Sequence, residues 1–99
     1  MKLIITIVNR GHCEDLMSRA REAGARGGTI LNARGTGTEE DTAYFGIHLA
    51  SEKEMLLIVA SKEDAPSIVD AIKNQPILNE PGAGIIFTLN IEESFLLNS

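Results

Sequence analysis

Hydrophobic positions along this chain switch between two periods. Leu3 to Val8 is a β-branched run closed by Asn9-Arg10-Gly11, which predicts a strand and then a turn. From residue 12 to 24 the period becomes helical. Cys13, Leu16, Met17, Ala20 and Ala23 share one face, Asp15 and Arg19 have the spacing of an i,i+4 ion pair on the other, and Gly24 stops the helix. Gly27-Gly28 leads into a second strand over about residues 29–34. Tyr44 to Leu49 reads as extended, with Phe45, Ile47 and Leu49 alternating against Gly46 and His48. Ser51-Glu52-Lys53 interrupts it, and the unbroken apolar run Met55–Ala60 predicts a central strand covered on both sides. Ser61-Lys62-Glu63-Asp64 has the form of a helix cap. Ala65, Ile68, Val69 and Ile72 form the next helical face, with Pro66 in the first turn, where a missing N–H costs little. Asn74 to Pro81 reads as loop, Gly82-Ala83-Gly84 opens a last strand from Ile85 to Ile91, and Glu92 to Ser99 predicts a short turn of helix.

The order is strand, helix, strand, strand, helix, strand. This is the split βαβ pattern of an α+β, ferredoxin-like βαββαβ sandwich: an antiparallel sheet with two helices on one face. Residues 1–99 make one such domain. Right-handed crossovers put both helices on the same side and leave the other side bare. Strands that are apolar on both sides need a partner for that side. An interface of roughly 800 Å² per protomer is the usual size, so the pattern predicts a homo-oligomer.

Composition narrows the function classes. Hydrophobic residues make up 43%, but aromatics are few (Tyr44, Phe45, Phe87 and Phe95, with no Trp), so the core is aliphatic. A net charge of −5 without a basic stripe argues against nucleic-acid binding. Cys13 is the only cysteine, which excludes a disulfide framework and a thiolate metal cluster. Its place on the apolar stripe predicts a core thiol, although a helix start would also stabilise a thiolate. His12 and His48 have no metal-ligand spacing, so no metal site is expected. The apolar opening segment is too short for a signal peptide or a membrane span, so a cytoplasmic protein without direct membrane insertion is expected. No nucleophile–base arrangement points to an enzyme.

The most informative stretch is Arg34-Gly35-Thr36-Gly37-Thr38, followed by the polar segment Glu39-Glu40-Asp41-Thr42. Glycines let backbone amides approach a ligand closely. No helix follows, so this is neither a Rossmann fingerprint nor a Walker loop. Gly82-Ala83-Gly84 is a second such turn. Taken alone, both are glycine turns that need φ > 0. Arg34 either neutralises a phosphate beside the first turn, the reading preferred here, or is an exposed strand-end cation. Glu39, Glu40 and Asp41 either dock on a basic partner or form a solvated loop tip.

In their order and spacing these residues resemble the P-II nitrogen-regulatory signalling proteins, and in particular a short P-II-like member. The resemblance runs through Met1–Val8, Ala23–Thr29, Ala33–Gly37, Leu56–Ala60 with its helix, and Gly82–Phe87. It implies a homotrimer with the sheets packed inward and adenine-nucleotide sites in the clefts between subunits. It also implies a loop after the second strand that regulates a partner, such as a membrane transporter or a metabolic enzyme. Gly35, Gly37, Gly82 and Gly84 match the positions that cradle phosphates in that family, with Thr36, Thr38 and Ala83 inside the same turns. Thr29 and Val59 match the neighbourhood of the base. The chain departs from the pattern in its cations. The partner loop is short, about residues 36–44. Ile85 stands for a lysine, Leu96 and Asn98 fall about where two arginines stand, and Thr38 and Glu39 replace an arginine and a glutamine. Each charge-assisted bond contributes about 1.5–3 kcal/mol, so AMP or ADP is expected as effector in preference to ATP, with no bound cofactor. The alternative is a trimeric interaction module that has lost nucleotide binding. Phe95, Leu96 and Leu97 are expected to pack over a seam between subunits.

Overall fold

A computed structural model of the chain describes residues 1–35, 51–80 and 82–97. Its elements are β1 (Lys2–Asn9), α1 (Cys13–Glu22), β2 (Thr29–Gly35), β3 (Ser51–Ala60), α2 (Ala65–Lys73), a 3-10 turn (Pro76–Leu78) and β4 (Gly84–Asn90). The sheet order is β2-β3-β1-β4, and every neighbouring pair is antiparallel. This is the ferredoxin-like α+β arrangement that the element order predicts.

The register divides the sheet into two faces. Ile4 pairs with Ile58, Thr6 with Leu56 and Lys2 with Ala60. Ile4, Thr6, Val8, Leu56, Ile58 and Ala60 are all buried, and they meet Leu16, Met17 and Ala20 of α1 and Ala65, Ile68 and Ile72 of α2. Alternate residues must point the other way. Leu31, Val59, Ile85, Phe87 and Leu89 of that second face are 39–57% exposed. Leu3, Ile5, Ile7, Met55 and Leu57 are only half-buried there. One sheet face is therefore a core and the other is apolar and, among the described residues, uncovered.

Several local expectations change. Ser51-Glu52-Lys53 does not interrupt a strand but forms the first three residues of β3, paired with Gly35, Arg34 and Ala33. Polar side chains are tolerated there because they pair across strands at the sheet's end. Arg10 Nη1 donates to Glu52 Oε2 at 2.7 Å, and Lys53 Nζ donates to Asn9 Oδ1 at 2.6 Å. The extended reading of Tyr44–Leu49 lies outside the described residues. Arg19 meets Glu22 at 3.3 Å rather than Asp15. The longer Glu22 carboxylate reaches it one turn on, and such an exposed pair contributes little. Pro76–Leu78 adds a 3-10 turn inside the predicted loop. Residues 92–97 are irregular rather than a turn of helix, with no apolar face that the chain itself covers.

Both helix starts depend on side chains outside the helix. Ser61 Oγ accepts the Asp64 amide at 3.0 Å and Ser61 O accepts the Ala65 amide at 3.0 Å, which is half of the predicted cap. At α1, His12 makes no side-chain cap bond. Glu54, reaching over from β3, accepts the amides of Gly11 at 3.0 Å and Cys13 at 3.1 Å. A carboxylate on amides at a helix start is favourable twice, through the bonds and through the dipole. These amides hold the Glu54 carboxyl below its ordinary value of 4.5. Burial first, then the Glu54 charge, pushes the Cys13 thiol up to about 11. Cys13 is fully buried, so it is the core thiol of the first reading and not a reactive thiolate.

Replacing Glu54 with Gln should lower stability by about 1 kcal/mol, the usual scale for a lost cap. Because the folded-state value is depressed, the stabilisation is complete above pH 4.5 and is lost as pH falls through the lower folded value. Urea unfolding of both proteins between pH 7 and pH 3 should show a gap that closes on acidification. A gap that is constant with pH would contradict this role.

Candidate functional site

The two glycine turns lie at the same end of the sheet, where β1 and β2 end and β3 and β4 begin. Gly84 is opposite Val8, and Gly35 is opposite Ser51. They are on opposite edges, three strand spacings or about 14 Å apart across the sheet, and three residues or about 10 Å apart along it. Thr36, Gly37, Thr38 and the segment Glu39-Glu40-Asp41-Thr42 lie outside the described residues. Arg34 is exposed on the β2 edge, opposite Glu52.

The glycines at this end of the sheet serve different purposes. Gly82 has φ +75°, a left-handed conformation that favours glycine. The Ala83 amide donates to Glu80 O at 3.1 Å and closes this turn. Gly84 instead allows close packing, since a Cβ there would sit 2.6 Å from Ile7 O and 2.8 Å from Val8 Cγ1. At Gly35 the nearest atoms a Cβ would meet among the described residues all belong to the movable Lys53 side chain, from 2.9 Å. Asn9, His12, Glu80, Gly82 and Ala83 line a cavity of about 280 Å³ beside the second turn.

Lys53 is the cation that the sequence reading passed over. It projects from β3 on the uncovered face, packs its stem against Gly35, and has its ammonium on Asn9 at the end of β1. It therefore stands between the two turns. Cross-strand pairing placed it there. The only local hint in the sequence was a single lysine just before an apolar run.

The remaining predicted residues are elsewhere. Thr29 opens β2 and pairs with Leu57. Val59 pairs with Leu3 and is 48% exposed. Both lie at the other end of the sheet. Thr29 is about 20 Å from Gly35 along β2, and Leu3 is about 17 Å from Val8 along β1. A second cavity of about 280 Å³ opens here, lined by Val59, Arg26, Ala25 and Ser61 among others. One copy of the chain thus does not bring the turn residues and the Thr29–Val59 pair together. Among the described residues, no cluster of His, Cys, Asp and Glu has a metal-holding arrangement. No described helix is long and apolar enough to cross a membrane.

A βαββαβ sandwich with one apolar sheet face open defines the structural class. The comparison with known families makes the class specific. A family model described as Nitrogen regulatory protein P-II matches residues 1–97, and the chain belongs to that family. It is similar to the Nitrogen regulatory protein P-II of Rhizobium meliloti (strain 1021). The two are 28% identical over 98 residues, which is 94% of this chain and 88% of the relative.

The two edge glycines should respond differently to the same change. Gly84→Ala should cost about 1–3 kcal/mol, because backbone and a buried valine oppose the added methyl group. Gly35→Ala should stay within about 0.5 kcal/mol of the parent, because only Lys53 must move. Equal losses in urea denaturation would refute this division.

Proposed function

We propose that this protein is a P-II-like signal transducer that senses a small anionic metabolite between copies of itself. Its copies associate as a homotrimer through the uncovered sheet face. The effector is an adenine nucleotide, AMP or ADP in preference to ATP. It sits with its phosphate against the turns at Gly35–Gly37 and Gly82–Gly84 of one copy and its base near Thr29 and Val59 of another. The loop over residues 36–44, with Glu39, Glu40, Asp41 and Thr42, then passes the state to a partner protein, such as a membrane transporter or a metabolic enzyme. The family's name points to nitrogen metabolism as the setting, and a cytoplasmic location fits such a role.

The observation that carries this reading is the separation of the two residue groups to opposite ends of an open apolar face. Only a second copy packed on that face can put the ends side by side. Lys53 supports the anion, with Arg34 as a further cation at the rim. The ligand acts on the loop only through its differential affinity for two loop states.

A second reading is a trimeric module that has kept the association and lost the ligand. It is favoured by one observation: two of the cations at the turn end are already engaged, Lys53 by Asn9 and Arg10 by Glu52. Calorimetry and thermal unfolding with AMP, ADP, ATP and cyclic nucleotides separate the two. At a concentration 100 times Kd, a true effector stabilises by about 2.7 kcal/mol, and Lys53→Gln should weaken its binding about tenfold or more. Silence with every nucleotide would leave only the module.

Association is tested separately. Phe87→Asp puts a charge on the uncovered face, midway along the edge strand β4, where burial without a partner is costly. Light scattering should then report a monomer in place of a trimer. A parent protein that is itself monomeric would end both readings.

A further inference from the structure

On the helix side, the seam between α2 and the edge strand β4 is open. Two cavities lie end to end along it. The first, about 400 Å³, is bounded by Lys2 and Lys62, with Val69 and Ala65 as floor and Thr88 as wall. The second, about 160 Å³, continues past Ile86 and Leu78 to Lys73. Val69 and Lys73 are one turn apart on α2, and Thr88 and Ile86 are neighbours on one face of β4, so the two cavities form one groove. Its floor is apolar and its ends are cationic. Asp70 is the one acidic residue among the described residues that line it. Thr6, whose buried hydroxyl has no hydrogen-bond partner among the described residues, borders the inner part.

The segment after β4 has the complementary character. Glu92 and Glu93 are followed by Phe95, Leu96 and Leu97, which are 77%, 87% and 85% exposed. Three consecutive large apolar side chains in water form an unusual patch. The groove follows β4 from Thr88 back to Gly84, about 13 Å, and the segment Glu92–Leu97 would cover about 17 Å if extended. The segment leaves β4 still running forward, because the Ile91 amide donates to Met1 O at 3.1 Å and prolongs the strand pairing. To enter its own groove the chain would have to reverse after this pairing, and Phe95, Leu96 and Leu97 stay exposed instead.

We propose that the α2–β4 groove receives the Glu92–Leu97 segment of a second copy of this chain. The glutamates lie beside Lys2 and Lys62, and the apolar triplet lies along Val69 and Ile86. Thr6 offers its hydroxyl oxygen to a backbone amide of the incoming strand. The contact rests on the self-association proposed above and adds a clasp on the helix side of the sheet.

Cysteine pairing tests it on the full chain. Cys13 is buried and does not interfere. Protein carrying Leu96→Cys is co-expressed with protein carrying Val69→Cys, then treated with a mild thiol oxidant. An interchain disulfide joining the two is expected on a non-reducing gel. Lys62→Glu should reduce its yield several-fold, and adding Glu93→Lys to the other chain should restore it. An intrachain disulfide alone in the double variant Val69→Cys/Leu96→Cys would overturn the exchange in favour of a strap within one copy. No disulfide in any pairing would overturn it altogether. Light scattering on the same samples separates the failures. A trimer without the cross-link rejects the clasp only, whereas a monomer rejects the association as well.

Discussion

The structure depends on one mismatch: a four-stranded sheet that is apolar on both faces and two helices that can cover only one. The alternation in β1 makes this plain. Ile4, Thr6 and Val8 enter the core with Leu56 and Ile58, while Leu3, Ile5 and Ile7 point away from it. Phe87 and Leu89 on β4 extend the uncovered side to the sheet's edge. Each large side chain buried there would contribute about 1.5–3 kcal/mol. A set of this size is ample for association even after the entropic cost of bringing copies together. The fold thus creates a strong demand for a partner, and a second copy with the same face is the simplest way to meet it.

The proposed ligand site follows from the same constraint. The glycine turns gather at one sheet end, and Thr29 and Val59 gather at the other. Strand geometry keeps these ends apart in one copy, so a site that uses both must be shared. Membership of the P-II family does not by itself identify the effector. The charge pattern is what limits the effector in the proposed reading. Lys53 and Arg10 are close to the turns, yet each already has a neutral or acidic partner. An anion must therefore compete with Asn9 and Glu52 for these groups.

Much of this was legible in the sequence because it depends on local period. The α1 stripe, the stop at Gly24, with φ +117°, and the buried position of Cys13 all follow from residues three or four apart. The open sheet face followed from the element order. What was missed depends on long-range pairing. Ser51-Glu52-Lys53 looked like a break because its partners, Gly35, Arg34 and Asn9, are distant in sequence. The Glu54 cap on α1 is of the same kind, since nothing near His12 or Cys13 announces a carboxylate from another element. The glycines of the second turn were read as alike, whereas Gly82 is needed for its φ and Gly84 for the space beside Ile7 and Val8.

Native mass spectrometry with increasing ADP addresses the central claim most directly, because it counts chains and ligands together. The account predicts a three-chain species that takes up one, two and then three nucleotides, with none on free single chains. A single chain that binds ADP as well as the assembly does would contradict it, because the site would then be complete without a second copy.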